Sequence, residues 1–576
     1  MKFDITEDNE KYLSARGTII LNACPGSGKT TSVAFKLSQI QSEQAHFNSR
    51  FSGIACLSFT NVAKEEIGDK FKSLTNKVFS YPHLISTIDS FINNYITLPY
   101  YYLWNRPEKR PIIFDKVDFL DGIYLGKFLT LDGKLMQMIY PPSQLKIEGD
   151  GRITWQSKTL DKEKVDQEVF DRYAKAYKKW QFDKGYINND DSTYAASKLL
   201  VKYPAIAKAL VQRFPYIIID EAQDTSEIQY QIFDLLIKAG LKNFEMIGDP
   251  YQSLYEFREA RPDLFISRYE DATKWKPIQL RDCRRSSQKI INLYSIFRGE
   301  DKSFIKSTCQ HNKDYPITIL RYDPLQVTRA IDTYRNLLNS GQSYQILVRG
   351  KTHLQKLGAL PNTADPWKHP AAKRLVDIHI QFLAGKTKLA IDNLRVVIAG
   401  LTVSSTDFSA KKELISQWKK EHMHNSLLFE FLKTFPTTDT SIRIWSEQAT
   451  KHIEQMFGIK IDLMLKKNQG KDFYQQSLDQ LLNIIKEPVT NISTIHKVKG
   501  MTFNSILLIL SEDSRGGNLS LSEFSRPKGI PNEKQRMIYV ALSRPEELCC
   551  IAIPNKYSRQ DIIDKIGKHI NFIDVQ

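Results

Sequence analysis

Short β-branched apolar runs, each closed by a turn or a helix signal, punctuate this chain. The first set is GTIILNA at 17–23, GIACLSFT at 53–60, PYIIID at 215–220 and NFEMIGD at 243–249. A second set follows at 316–322 (PITILRY), 343–349 (SYQILVR), 489–495 (VTNISTI), 504–510 (NSILLIL) and 548–553 (LCCIAI). Continuous rather than alternating apolar character predicts parallel strands covered on both faces, and two such sets predict two doubly wound α/β cores. Between them, roughly 92–205 and 356–485 lack the strand pattern and carry Lys, Leu, Gln and aromatics at helical spacing. These stretches predict mainly helical insertions. The expected division is 1–91 with 206–275 for the first core and 92–205 for its insertion, then 276–355 with 486–576 for the second core and 356–485 for its insertion.

Charge adds a partner class to this picture. Across 576 residues, 81 Lys and Arg face 65 Asp and Glu, a formal +16 that favours a polyanionic partner. The six cysteines include no Cys-x-x-Cys or Cys/His ligand spacing, which argues against a disulfide framework or structural zinc. No apolar run approaches the roughly 18 residues needed to span a bilayer, and MKFDITEDNE lacks a basic start with an apolar core behind it. A cytoplasmic protein without a membrane partner is expected.

Candidate chemistry begins where the first strand ends. Ala23-Cys24-Pro25-Gly26-Ser27-Gly28-Lys29-Thr30-Thr31 lies between that strand and a helical stretch, the context a phosphate-binding loop requires. Backbone N–H groups of such a loop and of the following helix start wrap a phosphate, Lys29 adds a point charge, and Thr30 is a Mg²⁺ ligand. The first glycine of G-x-x-x-x-G-K-[ST] is Ala23 here. Asp220-Glu221-Ala222-Gln223-Asp224 follows an apolar strand, at the sheet edge where ligands bind in open α/β folds. Asp220 is expected to hold Mg²⁺, and Glu221 to orient and deprotonate an attacking water.

Further motifs appear in a fixed order: SFTNVA at 58–63, TIDSF at 87–91, GDPYQSLYEFR at 248–258, LRDCRRS at 280–286, TIHKVKGMTF at 494–503 and RMIYVALSR at 536–544. Together they resemble the superfamily 1 helicases of the UvrD/Rep/PcrA type. The resemblance implies an α/β fold of two RecA-like P-loop NTPase domains, each interrupted by a mainly helical insertion, with ATP and Mg²⁺ between them. By position it gives Gln252 a γ-phosphate sensing role and makes Arg285 and Arg544 the arginines that reach that phosphate from the second core. Gly500 joins the nucleotide-binding set. Phe59, Tyr255 and Phe257 offer aromatic faces to bases, while Thr60, Asn61, Thr87, Thr494 and His496 offer strand contacts; Arg258 couples the cleft to the strand. Sequence-tolerant stacking suits a motor that steps along any sequence.

Some positions depart from the family pattern. Asn9 stands where a base-reading glutamine is usual, and its shorter amide can make the same contacts. In LRDCRRS, Cys283 replaces the asparagine and Arg284 the base-stacking tyrosine, whose role a planar guanidinium can also fill. Asp89 stands in place of a histidine and Thr502 in place of a glutamate. In the insertions, YYYLWNRPEKR at 100–110, KAYKKW at 175–180 and KKELISQWKKEHMH at 411–424 read either as nucleic-acid contacts or as helix faces with solvated lysines, the last as one amphipathic helix.

The expected function is an ATP-dependent helicase or translocase moving 3′ to 5′ on single-stranded DNA and engaging single-strand/duplex junctions. A second expectation is an ATP- and DNA-gated sensor subunit of a Gabija-type anti-phage system. It would act through a separate nuclease subunit, since little chain follows Arg544. A P-loop enzyme acting on a small molecule would leave GDPYQSLYEFR and TIHKVKG without a use.

Overall fold

The continuous apolar runs fold into two six-stranded sheets. The computed structural model describes residues 5–43, 47, 49–107, 110–114, 120–121, 123–155, 165–254, 260–299, 301, 303–309, 315–357, 367–403, 408–466, 477–478 and 491–575. Two compact units form, one from residues 1–349 with 493–576 and one from residues 350–492.

The N-terminal sheet begins with β1 (Thr18–Ala23), β2 (Ile54–Ser58) and β3 (Leu84–Thr87). The first insertion adds β4 (Ile112–Ile113), β5 (Leu145–Ile147), β6 (Ile153–Trp155) and β7 (Tyr186–Ile187) as two small pairs. The main sheet is completed by β8 (Tyr216–Asp220), β9 (Asn243–Gly248) and β10 (Lys276–Leu280), in the all-parallel order β10-β1-β9-β8-β2-β3. Alternate residues of β8 serve opposite faces: Tyr216 and Ile218 pack with α1 (Glu7–Ser14), α2 (Lys29–Ser42) and α3 (Asn61–Thr75), while Ile217 and Ile219 join Phe91, Ile232 and Phe233 behind the sheet. Fully buried isoleucines of this kind each cost roughly 2–5 kcal/mol when cut back to alanine. α3 starts where the Thr60 hydroxyl accepts the Ala63 N–H at 3.2 Å, and stops at Asn76 in a left-handed conformation (φ +55°).

β10 corrects the expected boundary after residue 275. Its residues Lys276 to Leu280 run beside Ile19 to Ala23 of β1, so the first core extends through Leu280. KPIQL is a mostly uncovered edge strand, and its place follows from backbone pairing rather than from an apolar pattern.

The second core follows β11 (Asp282–Cys283) and β12 (Lys306–Ser307), which form a short parallel pair. It contains β13 (Ile317–Tyr322), β14 (Tyr344–Val348), β15 (Ile492–Thr494), β16 (Phe503–Ile509), β17 (Pro545–Pro554) and β18 (Ile570–Asp574), in the order β15-β14-β16-β17-β13-β18. The helix Glu533–Leu542 covers one face of it through Met537, Ile538 and Val540, and Cys549 and Cys550 are buried strand residues on β17.

The first insertion is a helix and strand mixture around an aromatic cluster of Tyr140, Phe170, Tyr173 and Tyr177. Its helix Gln167–Asp183 exposes Lys175 and Lys179 but buries Lys178, which pairs with Asp191 at 2.7 Å. The second unit packs the helices Pro370–Leu383, Thr387–Thr402, His422–Thr434 and Ile442–Phe457 around Leu394, Phe431 and Trp445. The stretch 411–424 is split between helices Phe408–Lys420 and His422–Thr434, which corrects the expectation of one helix. Among the described residues no helix is long and apolar enough to cross a membrane.

Candidate active site

β1 ends at Ala23, and Cys24, Pro25, Gly26, Ser27 and Gly28 turn the chain into α2. Gly26 takes φ +74°, and a Cβ there would lie 2.6 Å from Arg285 Cβ and 3.0 Å from Cys283 Sγ, so the loop can pass the second core only without a side chain. The first helical bond of α2 runs from Ser32 N to the Gly28 carbonyl at 2.9 Å. The N–H groups of Lys29, Thr30 and Thr31 therefore lie in the unpaired first turn, an anion-binding arrangement.

Lys29 Nζ is ion-paired with Glu221 and lies 3.6 Å from Asp220 Oδ1. Burial pushes the Asp220 carboxyl above its ordinary range, with Lys29 offsetting part of that rise. Burial acts on Glu221 in the same direction, but Lys29 and Lys499 outweigh it and hold this carboxylate below its ordinary range. The Glu221 backbone is left-handed (φ +56°), a strain of about 1–2 kcal/mol for a residue with a Cβ. Gln223 ties this turn to the one after β9: Nε2 donates to Glu221 Oε2 at 2.5 Å, and Oε1 accepts the Asp249 N–H at 3.1 Å. Gly248 makes room for that link, since a Cβ there would stand 2.2 Å from Gln223 Oε1.

The second core reaches the same place with cations. Arg544 Nη2 donates to Gln252 Oε1 at 2.5 Å, and Gln252 Nε2 donates to Asp249 Oδ2 at 2.8 Å. Arg285 Nη1 donates to the Ser543 carbonyl at 2.9 Å, beside Arg544 in sequence. Burial lowers the pKa of both guanidinium groups, and their mutual repulsion lowers that of Arg544 further. Lys499 pairs with Asp224 and comes within 4.0 Å of Glu221.

This arrangement fits a magnesium nucleotide. Ser27 Oγ and Asp220 Oδ1 are buried without a hydrogen-bond partner among the described residues, at the loop and at the carboxylate end of the same cradle. No group of three His, Cys, Asp or Glu among the described residues could hold a metal, so Mg²⁺ at Thr30 and Asp220 would need phosphate oxygens as well.

Residues 5–273 match the UvrD/REP helicase N-terminal domain. The two parallel sheets correspond to the two RecA-like domains of such helicases. The chain is 22% identical to the Gabija protein GajB of Bacillus cereus, over 98% of this chain and 99% of that one. It is 24% identical to the ATP-dependent DNA helicase Rep of Escherichia coli, over 49% of this chain and 41% of Rep. A probable DNA helicase II homolog of Mycoplasma capricolum is also 24% identical, over 48% of this chain and 38% of its own length.

Of the nucleotide candidates, the structure brings Lys29, Asp220, Glu221, Gln252, Arg285 and Arg544 to one cleft, with Gly500 exposed at its second-core side (φ +86°). Asn9 and Arg284 do not take the expected places. Asn9 Nδ2 donates to Ser32 Oγ at 3.0 Å, and Oδ1 accepts from Thr6 N at 3.2 Å and Arg284 Nη2 at 2.9 Å. Its amide is thus turned inward, and the Arg284 guanidinium is used edge-on, with Nη1 donating to the Ser27 carbonyl at 2.9 Å.

The strand candidates are more scattered. Phe59 and Thr60 are half-buried after β2 and Asn61 is exposed beside them; Thr494, the last residue of β15, and His496 beyond it are half-buried. Burial lowers the His496 pKa, and its ring bonds the Leu254 backbone. Thr87 is 9% exposed and spends its hydroxyl on Ser90, accepting the N–H at 3.2 Å and donating to Oγ at 2.8 Å, which argues against a strand contact there. Tyr255, Phe257 and Arg258 lie outside the described residues.

Several cleft residues had no assigned role in the sequence reading. Gln223, Asp224 and Lys499 sit inside motifs already singled out, so their motif membership was the available signal. Tyr539, whose OH donates to Asp249 Oδ2 at 3.0 Å, has one too: it lies five residues before Arg544 in the same motif. Arg281, paired with Asp8 at 2.8 Å, likewise lies inside LRDCRRS, whereas Asp8 has no such marker.

Proposed function

We propose that this ATP-dependent DNA helicase is a motor that moves 3′ to 5′ on single-stranded DNA, stepping as its two sheets close and open around the nucleotide. The observation that carries the reading is the Arg544–Gln252 bond: a cation of the second core meets the polar loop of the first beside Lys29 and Glu221. When bound, the magnesium nucleotide supplies the γ-phosphoryl group whose transfer to water drives the cycle.

The remaining work falls to the chain. Lys29 leaves Glu221 to neutralise phosphate charge, which frees the carboxylate. Glu221 then orients the attacking water and takes up its proton, a contribution of about 10²–10⁴-fold. Arg285 and Arg544 stabilise the developing charge only when the two cores are together, so hydrolysis relaxes the closure. Phe59, Asn61, Thr494 and His496 line both sides of the strand path. Base stacking worth about 1–3 kcal/mol per base holds the strand firmly enough to move it and weakly enough to release it.

The end-to-end match with a Gabija protein favours a second reading, in which the same cycle gates a separate nuclease subunit in anti-phage defence with little unwinding. Steady-state ATP hydrolysis with and without single-stranded DNA tests the motor, with Glu221→Gln as control. Displacement of streptavidin from 5′- or 3′-biotinylated oligonucleotides tests direction, and release from the 5′ end alone is expected. Tight ATP and DNA binding with little stimulated hydrolysis would move the weight to the gated sensor.

A further inference from the structure

Behind the first sheet, on the face away from α2, lies a cavity of about 420 Å³. Along β1, Leu21 and Ala23 pack with α2 while Ile20 belongs to the cluster of Phe265 on the other face, and the alternation sends Asn22 to that second face. Asn22 is half-buried and is the one polar residue between Ile19 and Ala23. Register sets Gln279 of β10 directly beside it, so two carboxamides stand side by side on adjacent strands, and both line the cavity. The Asn22 side chain has no hydrogen-bond partner among the described residues, and Gln279 lies by the Tyr269 hydroxyl. Phe265 and Tyr269, from the helix Pro262–Glu270, and Tyr251 add aromatic walls. The second core closes the cavity with Arg298, Asp301 and Ile530. Arg536 fixes that side in place: its Nε donates to the Ser253 carbonyl of the first core at 2.7 Å, and its Nη1 to the Pro531 carbonyl next to Ile530.

We propose that this cavity is a binding site for adenosine, separate from the nucleotide cleft. Its volume falls in the range of sites for small organic ligands, roughly 300–1,000 Å³, and its lining of rings with a few polar groups is the usual build of such sites. A carboxamide matches the edge of adenine, donating to N7 while accepting from the exocyclic amine, and the paired amides of Asn22 and Gln279 offer that match where no protein group uses the first of them. The aromatic walls offer stacking faces for the base. Charge selects against phosphate. Arg298 is engaged within the wall, paired with Asp301 and donating to the Ser303 carbonyl at 2.7 Å. With exposed Glu270, the cavity carries two carboxylates against that one cation, so a nucleoside is accepted where a nucleotide is repelled. Both cores wall the cavity, so an occupant favours the arrangement in which they stand together. The site does not depend on strand contact or on the direction of movement.

The test is isothermal titration calorimetry of the full chain with adenosine, with magnesium and a non-hydrolysable ATP analogue present in excess to fill the nucleotide cleft. Adenosine is expected to bind under these conditions, and adenosine 5′-monophosphate to bind about ten-fold more weakly or not at all. Asn22→Leu and Gln279→Met should each weaken adenosine about ten-fold, while the affinity for the ATP analogue, titrated alone, stays within about two-fold of wild type. No heat from adenosine at millimolar concentration with the cleft filled would overturn the proposal. So would equal affinity for the monophosphate, unchanged adenosine affinity in either variant, or a parallel loss of affinity for the ATP analogue, which would mean that the adenosine was reading the cleft. If Asn22→Leu, next to the loop at Ala23, fails to fold, Gln279→Met on the mostly uncovered edge strand decides by the same criteria.

Discussion

The two six-stranded sheets are parallel in every strand pair whose register is described, but bring opposite charges to their common cleft. From the first come the carboxylates Asp220, Glu221, Asp224 and Asp249, with Lys29 held among them; from the second come Arg285, Lys499 and Arg544. The first sheet has its candidate phosphate loop after β1, whereas the second contributes through a helix and the turns around it. Similar folds therefore present different groups: carboxylates and a lysine on one side, and cations on the other. On the proposed motor reading, such a cleft opens by losing its cations while its carboxylates stay in place.

Arg544→Ala should break the comparison most visibly. Single-turnover hydrolysis is expected to fall about 10³–10⁵-fold, the usual effect of removing such an arginine. A near-normal rate would show that the second sheet lends no charge to the reaction. Glu221→Gln, on the other side, is expected to cost about 10²–10⁴-fold in turnover with ATP still bound. It should also leave Lys29 without its closest partner, so tighter nucleotide binding in the mutant, measured by calorimetry, would sharpen the assignment of Glu221 to the water rather than to the phosphate.

Lys499→Met addresses the buried pair that crosses between the sheets. Asp224 would be left as a buried acid, already pushed upward by burial, and a loss of about 3–5 kcal/mol in denaturant stability is expected. Adding Asp224→Asn should return part of it; no recovery in the double variant would remove the pair from the comparison.

The smallest effect separates both sheets from the helical unit. Burial pushes His379 down to about 4 from 6.5, so it stays neutral in the fold while the unfolded chain takes up a proton below 6.5. The stability of this unit should be full above pH 6.5 and decline by about 1–3 kcal/mol as the pH falls toward 4. Hydrogen exchange in the Pro370–Leu383 helix of the full chain would show it, and His379→Phe should flatten the dependence. An equal acid response in β8 would contradict a local origin.

Strands that are covered on both faces were legible as apolar runs, β2 and β8 being fully buried along their length. Three of the four edges were not: β3, β10 and β18 are partly exposed, carry short mixed sequences and exist because a neighbouring strand offers its backbone, whereas the edge strand β15 lies within the run read at 489–495. The same limit hid the strands of the first insertion, whose pairs are two or three residues long.

The site divides along the same line. The order and chemistry of Lys29, Asp220, Glu221, Gln252, Arg285 and Arg544 could be read from the chain, because a phosphate loop, a strand-end acid and a motif arginine are each local patterns. How those groups pair could not. Whether Asn9 faces a base or Ser32, whether Arg284 stacks or bridges Asn9 to the Ser27 carbonyl, and which carbonyl Arg536 finds depend on residues up to 283 positions apart in sequence. The sequence by itself determined the elements and the reactive groups at their ends, since local apolar pattern and local chemistry set both. Only the tertiary structure decided their partners, because a buried donor takes whichever acceptor the packing of two sheets brings within reach.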